Sequence, residues 1–425
     1  MPVSVDCPPA PTRLWVQLAR IVVIAFLLRV CAIFIIHSYR LDLSNDESAH
    51  IAAALASGKG FSNPFGPATG PTAWLGPAYP FFLSRIFAIF GSFTRASVIV
   101  ALIFNCAFSA LTCLPTFFIA RYTFGLRIAK QAAWASALLP YIMYWGIRWV
   151  WDTSLSALLF ALLFMLTLQL GQLSTLRKWI LYGALWGLAG LTNTAQLAFL
   201  PFAGSWICYQ QFKQRKPFFV NATAGAIIFF LVVTPWIWRD YAVFHKFIPI
   251  RGNFGVEFHL GNTDNAMGIW QVWLHPTQNV LEFKQYRQMG EVAYVQAKLQ
   301  QTKDFIHRNP RHFAFLCLAH FVYYWSGPPH SEKYPGIYEL KTALFLASSV
   351  FAFWGLGIAL RKKLYGAELF LLLLLSYPSI YYITFPHPRY RHPIDALLLI
   401  LIVFFCSQYR SRTDTLANRT DMPIA

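Results

Sequence analysis

Long apolar segments separated by short polar stretches organise this chain along nearly its whole length. Several approach the roughly 20 apolar residues that cross a bilayer as a helix. Residues 14–36, 96–120, 131–148, 153–173, 218–238, 342–360, 367–385 and 394–408 each read as one crossing. Residues 179–208 read as two short spans broken at Gly190–Asn193. Residues 313–326 are too short to span and are expected to lie against the outer face. The stretch from 239 to 312 is the one extended polar region, long enough to be translocated regardless of its basic residues. The pattern predicts an all-α polytopic membrane protein in three parts. These are a transmembrane catalytic module over 1–238 with an outer loop at 37–95, an outer-face region over 239–312, and transmembrane segments with a basic tail over 313–425.

Composition and charge sharpen this picture. Hydrophobic residues make up 57% of the chain, charged residues 12%, and mean hydropathy is +0.46; a soluble domain carries about twice that charged fraction. Lys and Arg number 35 against 17 Asp and Glu, a net charge of +18. The basic residues are not gathered into one domain, which argues against nucleic-acid binding. Many cluster at segment ends, at Arg121, Arg127 and Lys130, at Arg177 and Lys178, at Lys213, Arg215 and Lys216, at Arg361, Lys362 and Lys363, and at Arg410 and Arg412. Short basic loops stay cytoplasmic, so these clusters mark topology and attract anionic lipid. Both termini are then expected in the cytoplasm, and the first span is expected to be a retained helix rather than a removed signal peptide. The seven cysteines form no CxxC pair and read as small apolar packing residues.

On this map the polar residues that stand out fall on one side. Asp46 and Glu47 follow the first span in LDLSNDESAH, with His50 close behind; Arg148 and Asp152 flank the second outer turn in GIRWVWDTSL. His387, Arg389, Tyr390 and Arg391 occupy the last outer loop in FPHPRYRHPID. Each has a plainer reading. Asp46 belongs to an acidic loop that could simply start a helix, and Asp152 could cap one. The arginines could anchor the last span at the interface. Outer-side arginines in a short loop nevertheless run against the positive-inside bias, and a bound phosphate would compensate them. If that loop is extended, alternation points Arg389 and Arg391 to one side. The histidines of HPRYRHP have no metal-type spacing partner and read as structural or phosphate-contacting.

An ordered set of landmarks then resembles a known group. NDESAHIAAALASGKGF, GPTAWLGPAYPFFLSRIFAIFG, GLAGLTNTAQLAFLPF, TPWIWRDYAVFHKFIPIRGNFG and RYRHPIDALLLIL look like the membrane-embedded GT-C glycosyltransferases. The nearest resemblance is to protein O-mannosyltransferases (family 39) and the related aminoarabinose transferases. The resemblance implies a GT-C transmembrane bundle with outer loops and juxtamembrane helices. It also implies a polyprenyl-phosphate donor carrying one sugar, a lipid, glycan or protein acceptor, and a bacterial inner membrane with the active site on the periplasmic face. It maps the catalytic base onto Asp46, with Glu47 beside it and Asp152 as an assisting acid. No cofactor is implied, and a divalent metal is left open. The chain departs from the group at PTAWLGP, where the aminoarabinose transferases carry a Lys, so sugar and acceptor stay open.

The chemistry fits this set. A neutral hydroxyl needs a base to become a good nucleophile, and the departing phosphate needs nearby cations. Arg389 and Arg391, with Arg148 or Arg239, are the candidates for that second role; Tyr390, His387 and His50 join them as candidate substrate contacts. The outcome would be a single displacement with inversion. A secondary transporter is the alternative, but its ionisable residues would sit near the bilayer midplane on broken helices. A non-catalytic scaffold would leave the convergence of acids and arginines unexplained.

Overall fold

The apolar segments fold into a bundle of helices, and the described residues contain no strand beyond one isolated bridge between Ser62 and Pro71. A computed structural model describes residues 12–328 and 337–420. The chain runs α1 (Thr12–Ile35), α2 (Glu47–Ala56), α3 (Ala78–Phe90), α4 (Arg95–Leu111), α5 (Cys113–Phe124), α6 (Leu126–Leu138), α7 (Pro140–Arg148), α8 (Thr153–Gln172), α9 (Leu176–Thr192) and α10 (Leu200–Lys213). It continues through α11 (Phe219–Phe244), α12 (Phe254–Gly261), α13 (Val280–Met289), α14 (Glu291–Arg308), α15 (Pro310–Ser326), α16 (Ile337–Arg361), α17 (Ala367–Ser376), α18 (Ser379–Ile383) and α19 (Pro388–Thr420). Six stretches among the described residues are long and apolar enough to cross a membrane: 12–35, 95–124, 153–172, 219–244, 340–361 and 388–409.

Two breaks shape the bundle. Pro140 has no N–H, so the carbonyl of Ser136 loses its helical partner where α6 gives way to α7. Arg29, fully buried in α1, donates to Ser136 O at 2.8 Å, Ala137 O at 3.0 Å and Ser109 Oγ at 2.9 Å. A buried guanidinium is thereby satisfied by carbonyls that the break set free. The second break follows α9, where a 3₁₀ turn over Thr194–Phe199 leads into α10. This is the interruption expected at Gly190–Asn193. Packing of α9 on α11 depends on small residues: a Cβ at Gly183 would lie 2.0 Å from Gly225 O.

Two loop expectations change. The stretch 37–95 carries α2 and α3; α2 packs on α3, which packs on α4 and α9. The last loop shrinks, because Pro388 starts α19 and its fixed φ suits a first helical turn. The extended alternation expected for Arg389 and Arg391 is therefore absent. The 239–312 region folds as α12–α14 at the end of the bundle that also carries α2, and α15 packs against α16 and α18.

Candidate active site

Several helix N-termini meet at that end around a cavity of about 320 Å³. The starts of α8, α12 and α19 line it, as do Ser48 in the first turn of α2 and the break between α9 and α10. Helix N-termini carry partial positive charge and favour acids and anions. The sequence supplies acids at three of them, α2, α8 and α12.

Asp46 is the N-cap of α2: its Oδ1 accepts from Ala49 N at 2.8 Å, and the Ser48 N–H also acts on the carboxyl. Burial pushes its carboxyl well above the usual carboxylate range, and the charge of Glu47 adds to the rise. Glu47 opens α2 and is likewise raised by burial. Its Oε1 lies 3.4 Å from His275 Nε2. Asp152 precedes α8, lines the cavity and accepts from Ser156 Oγ at 3.0 Å; burial raises it too. One cation acts on all three acids, the guanidinium of Arg389, which works against each rise.

Arg389 lines the cavity from the first turn of α19, 4.6 Å from the Trp151 ring centroid and 5.4 Å from that of Tyr390. Among the described residues no carboxylate lies within 4 Å of it. A second guanidinium faces the same space. Arg251 donates to Trp74 O at 2.9 Å and to Glu257 Oε1 at 2.8 Å, and Asn253 donates to the same carboxylate oxygen. Tyr390 lines the cavity with its ring stacked on Tyr381 at 4.6 Å.

The other expected site residues lie elsewhere. Arg391 is buried on another face of α19, paired with Asp395 at 2.9 Å and donating to Ser348 and Ser349. Arg239 is occupied by Thr72 O, Phe61 O and Asp240, and packs over Trp236. His50 hydrogen-bonds Ser44 O and braces the turn before α2. Arg148 is exposed at the end of α7, outside the cavity. His387 accepts from Arg389 N at 3.1 Å and packs between Trp145 and Trp270; burial pushes it down to about 3, which keeps it neutral. It therefore holds the start of α19 and does not line the cavity.

Residue types alone passed over Arg251, Asn253, Glu257 and His275. Arg251 and Asn253 lie inside the landmark ending IPIRGNFG, so a cation there was in view. His275 sits in WLHPTQN with no local signal. Among the described residues no group of three or more His, Cys, Asp or Glu is arranged to hold a metal ion.

No family description and no curated protein matches this sequence. Solved structures do. The archaeal oligosaccharyltransferase AglB from Archaeoglobus fulgidus, in complex with an inhibitory peptide and a dolichol-phosphate, superposes with a TM-score of 0.52 at 15% identity, over 96% of this chain and 52% of that one. The chain has the GT-C fold. The Archaeoglobus fulgidus oligosaccharyltransferase in complex with Zn and sulfate gives 0.51 at 14% identity, over 92% and 49% of the two chains. ArnT from Cupriavidus metallidurans bound to undecaprenyl phosphate is a more remote likeness at 0.43 and 11% identity, over 93% and 77%. The chain spans about half the length of the archaeal oligosaccharyltransferase.

Proposed function

We propose that this chain is a membrane glycosyltransferase that moves a single sugar from a polyprenyl-phosphate donor to an acceptor hydroxyl, with inversion. The acceptor is a lipid, glycan or protein, and the reaction takes place on the periplasmic face of a bacterial inner membrane. One observation carries the reading: on a GT-C fold, Asp152, Arg251 and Arg389 line one cavity that Ser48 reaches from the first turn of α2, beside Asp46 and Glu47, and the charge of Arg389 acts on all three acids. In this reading the Asp46 carboxylate takes the proton of the acceptor hydroxyl. The oxygen attacks the anomeric carbon, the bond from that carbon to the phosphate oxygen breaks, and the phosphate leaves with the electron pair. Arg389, backed by Arg251, offsets its charge. A proton affinity raised by burial suits a base working near neutrality. Arg391 and Arg239 take no part, because both are already committed to internal partners.

The test uses purified protein in lipid nanodiscs and a panel of undecaprenyl-phosphate monosaccharides. Asp46→Asn should lower transfer by at least ~100-fold, while an Asn in its place still caps α2. The sign of the accompanying stability change follows from the raised carboxyl. Ionising Asp46 costs the folded state stability as pH climbs from the ordinary carboxylate range through the folded pKa, so the Asn variant should melt no lower at neutral pH. Near-normal turnover in that variant would remove Asp46 from the mechanism. The reaction as written requires no cofactor; loss of transfer on chelation, restored by a divalent ion, would add a metal to it.

A further inference from the structure

The contact between Glu47 and His275 joins two parts of the chain far apart in sequence. His275 is 5% exposed, in the turn before α13, its ring set among Phe65, Trp74 and Trp270. Its two nitrogens have different partners. Thr277 N donates to Nδ1 at 3.3 Å, and Thr277 Oγ1 lies 2.7 Å from the same atom. A nitrogen that accepts from a backbone N–H carries no proton, so the proton of a neutral ring belongs on Nε2. Nε2 is the atom that faces Glu47 Oε1 at 3.4 Å.

We propose that His275 is the positioning residue of the acidic pair, a neutral imidazole whose Nε2–H holds the Glu47 carboxylate beside Asp46. The inference rests on the reading of Asp46 and Glu47 as the catalytic acids. His275 does not touch the reacting atoms; it acts through Glu47. Its own turn locks it, since His275 N donates to Val272 O at 3.0 Å and its carbonyl accepts from Gln278 N at 2.9 Å. Burial pushes the imidazole down to about 4, with Glu257 opposing and Arg251 assisting, so the ring stays neutral at physiological pH. Neutrality matters here. The neutral ring presents its Nε2–H to Glu47 without cancelling the charge on Glu47 that helps to raise Asp46. The 239–312 region thereby completes the acidic pair carried by the first loop.

Two measurements test this, and only one depends on turnover. In ¹⁵N-histidine-labelled protein in bilayers, assigned by the signal lost in His275→Gln, the ring should be neutral at pH 7 with Nε2 protonated. Glu47→Gln should shift the Nε2–H resonance. A proton on Nδ1, a doubly protonated ring, or no response to Glu47→Gln would overturn the proposal. The kinetic arm uses the undecaprenyl-phosphate monosaccharide panel. His275→Leu should lower turnover about tenfold, the worth of one positioned hydrogen bond, with undecaprenyl phosphate affinity unchanged. His275→Gln, which keeps an N–H near the Nε2 position, should retain most of it. The Glu47→Gln/His275→Leu double variant should be no slower than Glu47→Gln alone. Additive losses, or failure of Gln to rescue, would reduce His275 to a packing residue. Full turnover in Asp46→Asn would instead overturn the catalytic reading and leave the resonance test standing.

Discussion

Arg389 and Arg391 are two positions apart in the sequence yet occupy different environments. Helical phase separates them: two residues rotate a side chain by roughly 200° about the axis, so Arg389 reaches the cavity while Arg391 points into the bundle beside Asp395, Ser348 and Ser349. Sequence alone offered RYR as a matched pair, and an extended loop would have kept it so. The start of α19 at Pro388 decides otherwise. Their substitutions should therefore diverge. Arg391→Ala leaves Asp395 buried without its cation and should cost roughly 3–5 kcal/mol of stability, with undecaprenyl phosphate affinity unchanged in the protein that folds. Arg389→Ala removes a cation that pairs with no carboxylate among the described residues. It should melt near wild type and lose roughly 1.5–3 kcal/mol of affinity for undecaprenyl phosphate. Thermal melts beside binding isotherms separate the two, and an exchange of these phenotypes would show the phosphate contact to be misassigned.

At the scale of elements, the cavity depends on how the first loop is pinned. Glu291 at the start of α14 accepts from Ala73 N at 2.6 Å, from the Thr72 hydroxyl and from Tyr286 OH at 2.8 Å; Arg239 holds the carbonyls of Phe61 and Thr72, and Arg251 that of Trp74. These braces press Gly76 against the end of α9, where a Cβ would meet Leu191 O at 2.5 Å and Thr192 O at 2.8 Å. Both neighbours are backbone, so they cannot swing aside. Gly76→Ala should accordingly cost about 1–3 kcal/mol, as overpacking does, and should reduce donor binding because Gly76 and Thr192 both line the cavity. Unchanged melting and binding would show that this contact opens freely. The break after α9 was legible as a Gly-to-Asn interruption of an apolar run. The braces were not, because Glu291 lies 219 residues from Thr72 and only the folded chain brings them together.

At the scale of the whole molecule, six of the expected crossings are single long apolar stretches, since apolar length is a local property of the chain, whereas 131–148 divides at Pro140 and 367–385 divides after Ser376, before Pro378. The conspicuous polar residues divide by a different rule. Asp46, Asp152, Arg389 and Tyr390 stand at helix starts that face the cavity, whereas Arg239 and Arg391 were drawn into internal pairs that no local pattern announces. The basic clusters extend the same division to topology. Arg121 ends α5, Arg127 and Lys130 lie in α6, Arg177 and Lys178 begin α9, Lys213 ends α10 and Arg361 ends α16. Each is separated from a cavity-lining helix end by at least one length of helix; α8, with 20 residues, rises about 30 Å. Short basic loops remain in the cytoplasm, so the cavity should open on the opposite side of the membrane. Single cysteines in a background without native cysteines should then label from outside the cell membrane at the exposed positions Lys59 and Gln278, and only after permeabilisation at Lys130 and Lys216. Labelling of Lys216 from outside together with protection of Lys59 would invert the molecule and place the acids of the cavity in the cytoplasm.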